Sequence, residues 1–223
     1  MKNLTKIDIV LYIFLAIIVI LSLFFGFTNA TFFDMTFAQE DGFIEYATFF
    51  FLFCISILCF SRLITQFKNQ QLLWKIGVLG AALLFLFGAG EEISWGQRIF
   101  GIESGEFFQG NNLQKETNFH NLEIGGVKLN KLIFSQLLTL FMALYLLVFP
   151  FVYNKWNWLH KTTNSFAVPV PKIHQIIAFL SSTIIIAILP NLSRKWEVYE
   201  LFFACIFFLI FLKPRNFKEV KGN

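Results

Sequence analysis

The chain has 223 residues with a formal net charge of +4, and 57% of it is hydrophobic, 19% aromatic and only 14% charged. An ordinary water-soluble domain carries about 25% charged residues, so this balance argues against a soluble enzyme and against a disordered chain. The positive charges are scattered between apolar runs and form no basic stripe, which excludes nucleic acid as a partner and points instead to membrane topology. Cys54, Cys59 and Cys205 lie inside apolar runs, offer no CxxC pair, and read as small buried hydrophobes.

A helix needs about 20 apolar residues to cross a hydrocarbon core. In chain order, helices are predicted at about 7–27, 43–64, 74–100, 131–153, 172–190 and 196–212, with an extracytoplasmic loop over 101–130. The first apolar run is longer than a cleaved leader needs, although Thr28-Asn29-Ala30 loosely fits a cleavage site. The third is expected to continue as a helix through Glu91, Glu92 and Trp95 to Phe100. The fifth is closed by Pro190, and the sixth carries Glu197 and Glu200 in its first turns. The expected fold class is all-α, an integral membrane helical bundle of about six transmembrane helices forming a single domain over 1–223.

With the N-terminus on the cytoplasmic side, 12 of the 18 lysines and arginines fall on that side. The positive-inside rule then puts both termini in the cytoplasm. The acids are distributed the other way, with 12 of 14 at or beyond the opposite face. His160 and His174 fall on the cytoplasmic side, away from these acids.

Three polar stretches converge on the acidic face. In Glu40-Asp41-Gly42-Phe43-Ile44-Glu45, Asp41 and Glu45 are four apart on the start of a helix, whose N-terminus favours negative charge. In the second, Gly77, Ala81, Leu84, Gly88, the adjacent pair Glu91 and Glu92, and then Trp95 are spaced by threes and fours. That stripe would deliver two adjacent carboxylates into a crowded seam, with Arg98 continuing the face. The third runs from Asn112 through Gln114, Glu116 and Asn118 to His120 and Asn121. If extended it puts the even-numbered side chains on one face; if helical it pairs Glu116 with His120.

Adjacent carboxylates at membrane depth need a proton, an arginine or a bound cation. Glu91, Glu92 and His120 are the candidate catalytic groups. Asp41, Glu45, Glu91, Glu92, Glu116 and His120 are the candidate ligands of a divalent cation. Oxygen donors suit Mg2+, Mn2+ or Ca2+, and the single histidine admits Zn2+. Trp95, Gln97, Arg98, Asn112, Gln114 and Asn118 are the candidate substrate-binding groups, with Arg98 suited to a phosphate or carboxylate. A structural Arg–Glu ion pair, helix-start capping and a solvated loop would account for the same residues without chemistry. No Gly-rich phosphate loop, G-x-S-x-G or H-E-x-x-H is present.

The run Gly90-Glu91-Glu92-Ile93-Ser94-Trp95-Gly96-Gln97-Arg98, followed by Asn112-Leu113-Gln114, Glu116, Asn118 and His120-Asn121, resembles a family of uncharacterised bacterial multi-pass membrane proteins. The resemblance spans about Glu40 to Asn121 and implies a bacterial cytoplasmic (inner) membrane protein without implying an activity. Together these readings give the expectation of a metal-dependent membrane hydrolase or transferase acting on a lipid or lipid-linked substrate, with membrane lipids as partners. The alternatives are a non-catalytic membrane scaffold that binds a partner and a cation- or proton-coupled transporter.

Overall fold

The computed structural model describes residues 4–119, 121–128 and 137–222. Helix α1 (Lys6–Thr28) opens on a reciprocal cap. The Asp8 amide donates to Thr5 Oγ1 (3.2 Å) while the Thr5 amide donates to the Asp8 carboxylate (2.7 Å). Helical turns at Ala30–Phe32 and Phe33–Phe37 lead to α2 (Phe43–Gln66), and α3 (Leu72–Glu92) returns against it. The buried seam of α3 is Trp74, Val78, Ala82, Phe85 and Ala89, spaced by threes and fours. A bond from Ser56 Oγ to the Ala82 carbonyl (2.9 Å) pins α2 to it. The predicted small-residue stripe is not this seam, because Leu84 points outward at 65% exposure.

Beyond α3 come α4 (Glu106–Asn111) and a hairpin in which β1 (Glu123–Ile124) pairs antiparallel with β2 (Val127–Lys128) across Gly125-Gly126, both at positive φ. The next apolar stretch is α5 (Leu138–Ala143), a π-helical turn over Leu144–Val148 and a last turn at Phe149–Val152. Then follow α6 (Asn157–Ser165), α7 (Ile173–Ile188), α8 (Lys195–Leu212) and α9 (Phe217–Lys221). Helix α8 is the centre of the fold. Val198, Leu201, Phe202, Cys205 and Ile206 on one side and Ala204, Phe207 and Phe211 on the other are buried, as expected of a helix that is apolar on every side. It packs on α2 and α7. Gln175 Nε2 donates to the Leu209 carbonyl (3.0 Å), so even a buried amide is spent on tying α7 to α8.

This architecture corrects the expected six-span bundle. Among the described residues three helices, α1, α2 and α3, are long and apolar enough to cross a membrane. The others fall short for physical reasons. Ile173–Ile188 has 16 residues and the helical part of the fourth segment, Leu140–Val152, is also too short, while residues 131–136 of that segment lie outside the described ones. Helix α8 has 18 residues but opens on Lys195, Glu197 and Glu200. The third segment stops at Glu92 instead of reaching Phe100, because Ser94, Trp95 and Gly96 all take left-handed backbone (φ 47, 56 and 76°). Polar ties between segments do the holding: Asp34 accepts from Ser193 Oγ and the Arg194 amide, Tyr145 donates to the Pro169 carbonyl, and Arg215 donates to the Pro150 carbonyl. The multi-pass bundle is therefore replaced by helices packed in tertiary fashion around α8. The inner-membrane location, the two cytoplasmic termini and the lipid partners rested on six spans and fall with them.

Candidate functional site

Three sequence-distant segments meet where α2 begins and α3 ends. The left-handed turn at Ser94–Gly96 folds the chain back on α3. Trp95 thereby lies against Gly90, and its indole N–H donates to Glu91 Oε1 (3.0 Å). The other oxygen of Glu91 accepts the Phe119 amide (2.6 Å), so this carboxylate is buried and engaged on both sides. Glu91, Trp95 and Arg98 were expected along one continuous helical face. The turn instead brings Trp95 back onto Glu91 and sends Arg98 to Asp41, Glu45 and Glu116.

Gly90 is what lets the turn close. A Cβ there would lie 2.8 Å from two ring carbons of Trp95. Gly90→Ala should push the indole off Glu91 and cost about 1 kcal/mol despite the better helix propensity of alanine. The check is the Trp95 indole N–H resonance together with the thermal midpoint. An unmoved resonance would show that the packing is not tight.

Arg98 is the hub of the first polar cluster. Its guanidinium pairs with Asp41, with Glu45 (3.5 Å) and with Glu116 (3.2 Å). Burial opposes its charge, but Glu116, Asp41 and Glu45 outweigh burial and hold its pKa above the ordinary arginine value. Glu116 is further fixed by Ser94 Oγ (2.5 Å) and by Asn118 Nδ2 (3.1 Å), and Asn118 Nδ2 also donates to Ser94 Oγ (2.9 Å). Gln97 spans the same loop, donating to Ser104 Oγ and accepting the Thr117 amide, both at 2.7 Å.

The stretch from Asn112 is neither strand nor helix. Buried Asn112 organises a turn: its Oδ1 accepts the Gln114 and Glu116 amides, and its Nδ2 donates to the Asn118 carbonyl and Oδ1. Gln114 reaches across to Glu40 and accepts from Asn121 Nδ2. His120 lies outside the described residues. Trp95, Gln97, Asn112, Gln114 and Asn118, read from sequence as substrate contacts, have their hydrogen-bonding groups engaged with the protein itself.

A second cluster forms at the start of α8. Arg194 pairs with Glu40 (2.6 Å) and Glu197 (3.4 Å). Inward from it stand Glu92 and Glu200. Burial, then the charges of Glu200, Glu197, Glu45 and Glu91, push the Glu92 carboxyl well above the ordinary glutamate range, so carboxylates of α2, α3 and α8 lie close enough to repel one another. Glu92 and Glu200 are both half-buried. Among the described residues no hydrogen bond or ion pair engages either one. Burial, then the charges of Glu197 and Glu45, push the Glu200 carboxyl up to about 8. Glu197 is also raised by burial, against the pull of Arg194.

From sequence Glu92 is a candidate while Glu197 and Glu200 read as helix-start acids that could supply further ligands, and nothing there singles out the side chains of Ser94 and Ser104 or the Glu40–Arg194 pair. The available signal was Glu197 and Glu200, three apart at the head of the otherwise apolar α8. The described members of the expected metal-ligand set have other partners. Asp41, Glu45 and Glu116 are gathered on Arg98, Glu91 on Trp95 and Phe119, and among the described residues no group of three or more His, Cys, Asp or Glu is placed to hold a metal ion. With no such group and no six-span bundle, the expected metal-dependent membrane hydrolase or transferase loses its basis, and the membrane scaffold and the coupled transporter lose theirs.

No family model, curated protein or solved structure matches the chain. The resemblance to a bacterial multi-pass membrane family is thus not upheld. The run that carried it forms a left-handed turn and a hydrogen-bonded loop, where a continued membrane helix was expected.

Proposed function

We propose that the ends of α2, α3 and α8 enclose an acidic recess that binds a small organic cation bearing protonated amines. The observation that carries this reading is the pair Glu92 and Glu200, two carboxylates with no donor among the described residues, facing Glu45 and Glu197. The two nearby arginines are already engaged, Arg98 by Asp41, Glu45 and Glu116, and Arg194 by Glu40 and Glu197. Negative charge therefore exceeds positive charge around the recess. Protons offset the excess when the recess is empty, and a cation would replace them.

An ammonium group supplies three donors. Amines spaced along a chain can each meet a different carboxylate, which suits acids that surround a recess without sharing one ligation point. A divalent cation, the cofactor expected from sequence, is tested alongside. Calorimetric titration with spermidine and with Mg2+ at pH 8 decides. Saturable spermidine binding, weakened about tenfold or more in both Glu92→Gln and Glu200→Gln, is the expected result. Binding that is indifferent to both substitutions would overturn the reading, and Mg2+ binding without spermidine binding would reassign the recess to a metal.

A further inference from the structure

Helix α1 is attached to the rest of the protein along one side. There Leu15, Ile18, Ser22 and Gly26 are buried, and a Cβ on Gly26 would lie 2.8 Å from Leu189 Cδ2. The opposite side carries Val10, Ile13, Ile17, Ile20, Phe24 and Phe27, each between 50% and 64% exposed. These six follow one another by three, four, three, four and three residues. That is an unbroken heptad pattern, with Val10, Ile17 and Phe24 at a and Ile13, Ile20 and Phe27 at d, the pattern that seats one helix on another. The outward rows of the neighbouring long helices are more covered, falling to 37% at Phe53 on α2 and to 36% at Phe87 on α3.

Three features of the row fit a second copy of this chain. No charged residue lies between Asp8 and Asp34, so the e and g positions flanking the seam hold nothing that would repel a like helix or select a charged partner. The six side chains offer roughly 700 Å2 per copy, close to the about 800 Å2 per partner that a stable interface buries. The row is also graded in size, from valine at one end to phenylalanine at the other. Antiparallel pairing sets each a against a d. It places Val10 opposite Phe27 of the second copy, Ile13 opposite Phe24 and Ile17 opposite Ile20, so that large meets small and every layer holds a similar volume. Parallel pairing would crowd phenylalanine on phenylalanine and leave valine against valine. Antiparallel helices also oppose their dipoles.

We propose that α1 is a self-association surface: the α1 helices of two copies pair antiparallel along this row and make a two-fold dimer. The surface is remote in sequence from the acidic recess and independent of it.

The test is sedimentation equilibrium of the full chain together with disulfide trapping. A dimer is expected. Lysines at both Ile17 and Ile20 raise its dissociation constant about a hundredfold or more, because pairing would bury their charges. Ile64→Lys, at a still more exposed apolar position on α2, leaves it unchanged. Val10 and Phe27 are about 25 Å apart along one helix. In a Cys54→Ala background, with Cys59 and Cys205 buried, a mixture of Val10→Cys and Phe27→Cys therefore cross-links about tenfold faster than either variant alone. This mixture decides should the lysine variant fail to fold. Self-linking of the single cysteine variants overturns the antiparallel pairing. A monomeric parent protein, or a dimer that survives the paired lysines, overturns the proposal. So does a monomer whose α1 enters phosphatidylcholine vesicles, which would give the row to lipid.

Discussion

Gly77→Ala is expected to destabilise the protein by about 2–3 kcal/mol or to prevent its folding. A Cβ on Gly77 would lie 1.8 Å from the carbonyl oxygen of Phe166 and 2.6 Å from its carbon. These are backbone atoms at the end of α6, held by their own hydrogen bonds, including the Phe166 amide to the Thr162 carbonyl. No rotamer change relieves the contact, so either α3 or the α6–α7 connection must move. The connection is itself anchored: the Val170 amide donates to Asn216 Oδ1, and Asn216 Nδ2 donates to the Val168 carbonyl. Gly80, three residues along the same helix, has open space where its Cβ would be. Gly80→Ala should be neutral or stabilising by up to about 1 kcal/mol, the helix-propensity gain alone. Chemical denaturation of the two variants isolates the steric effect, and equal stabilities would show that the α3–α6 contact is not tight.

The contrast between these glycines also shows what a sequence can and cannot display. Apolar runs announced α1, α2 and the body of α3, because helix length and composition are local properties. They misled at α7 and α8. A run that is apolar all round reads equally as a membrane span or as a helix buried by its neighbours, and the burial of Val198, Leu201, Phe202 and Ile206 arises from partners remote in sequence. The meeting of Asp41, Glu45, Glu116 and Arg98 was legible as convergence of three polar stretches. Their roles were not, since whether a carboxylate faces a metal or an arginine is set by the turn that aims it. Ser94 and Trp95 occupy left-handed backbone without being glycine, and helical periodicity carries no warning of such a break. Glu200 read as a helix-start acid for a related reason. An acid in the first turns of a helix is ordinarily a solvated, dipole-favoured group, and only the packing of α2 and α3 against α8 encloses this one.

That enclosure gives Glu200 a measurable signature. An ordinary glutamate, as in the unfolded chain, ionises near 4.5, whereas burial followed by the charges of Glu197 and Glu45 holds the Glu200 proton up to about 8. The native state therefore binds more protons than the unfolded state between those values, and stability must fall as pH rises across them. Below about 4.5 both states are protonated and Glu200 exerts no penalty. Above about 8 the carboxylate is ionised inside the protein and the full penalty is present. Glutamine keeps the shape and removes the ionisation. Glu200→Gln should thus match the parent protein near pH 4 and exceed its stability near pH 9, by on the order of a few kcal/mol. Denaturation curves collected from pH 4 to 9 test this directly, and parallel profiles for the two proteins would place the Glu200 carboxylate in water. A cation that occupies the recess adds a second arm. Spermidine at pH 9 should raise the melting temperature of the parent protein, by linkage to the native state, and should raise that of Glu200→Gln much less, because the substitution removes the charge that holds the ligand.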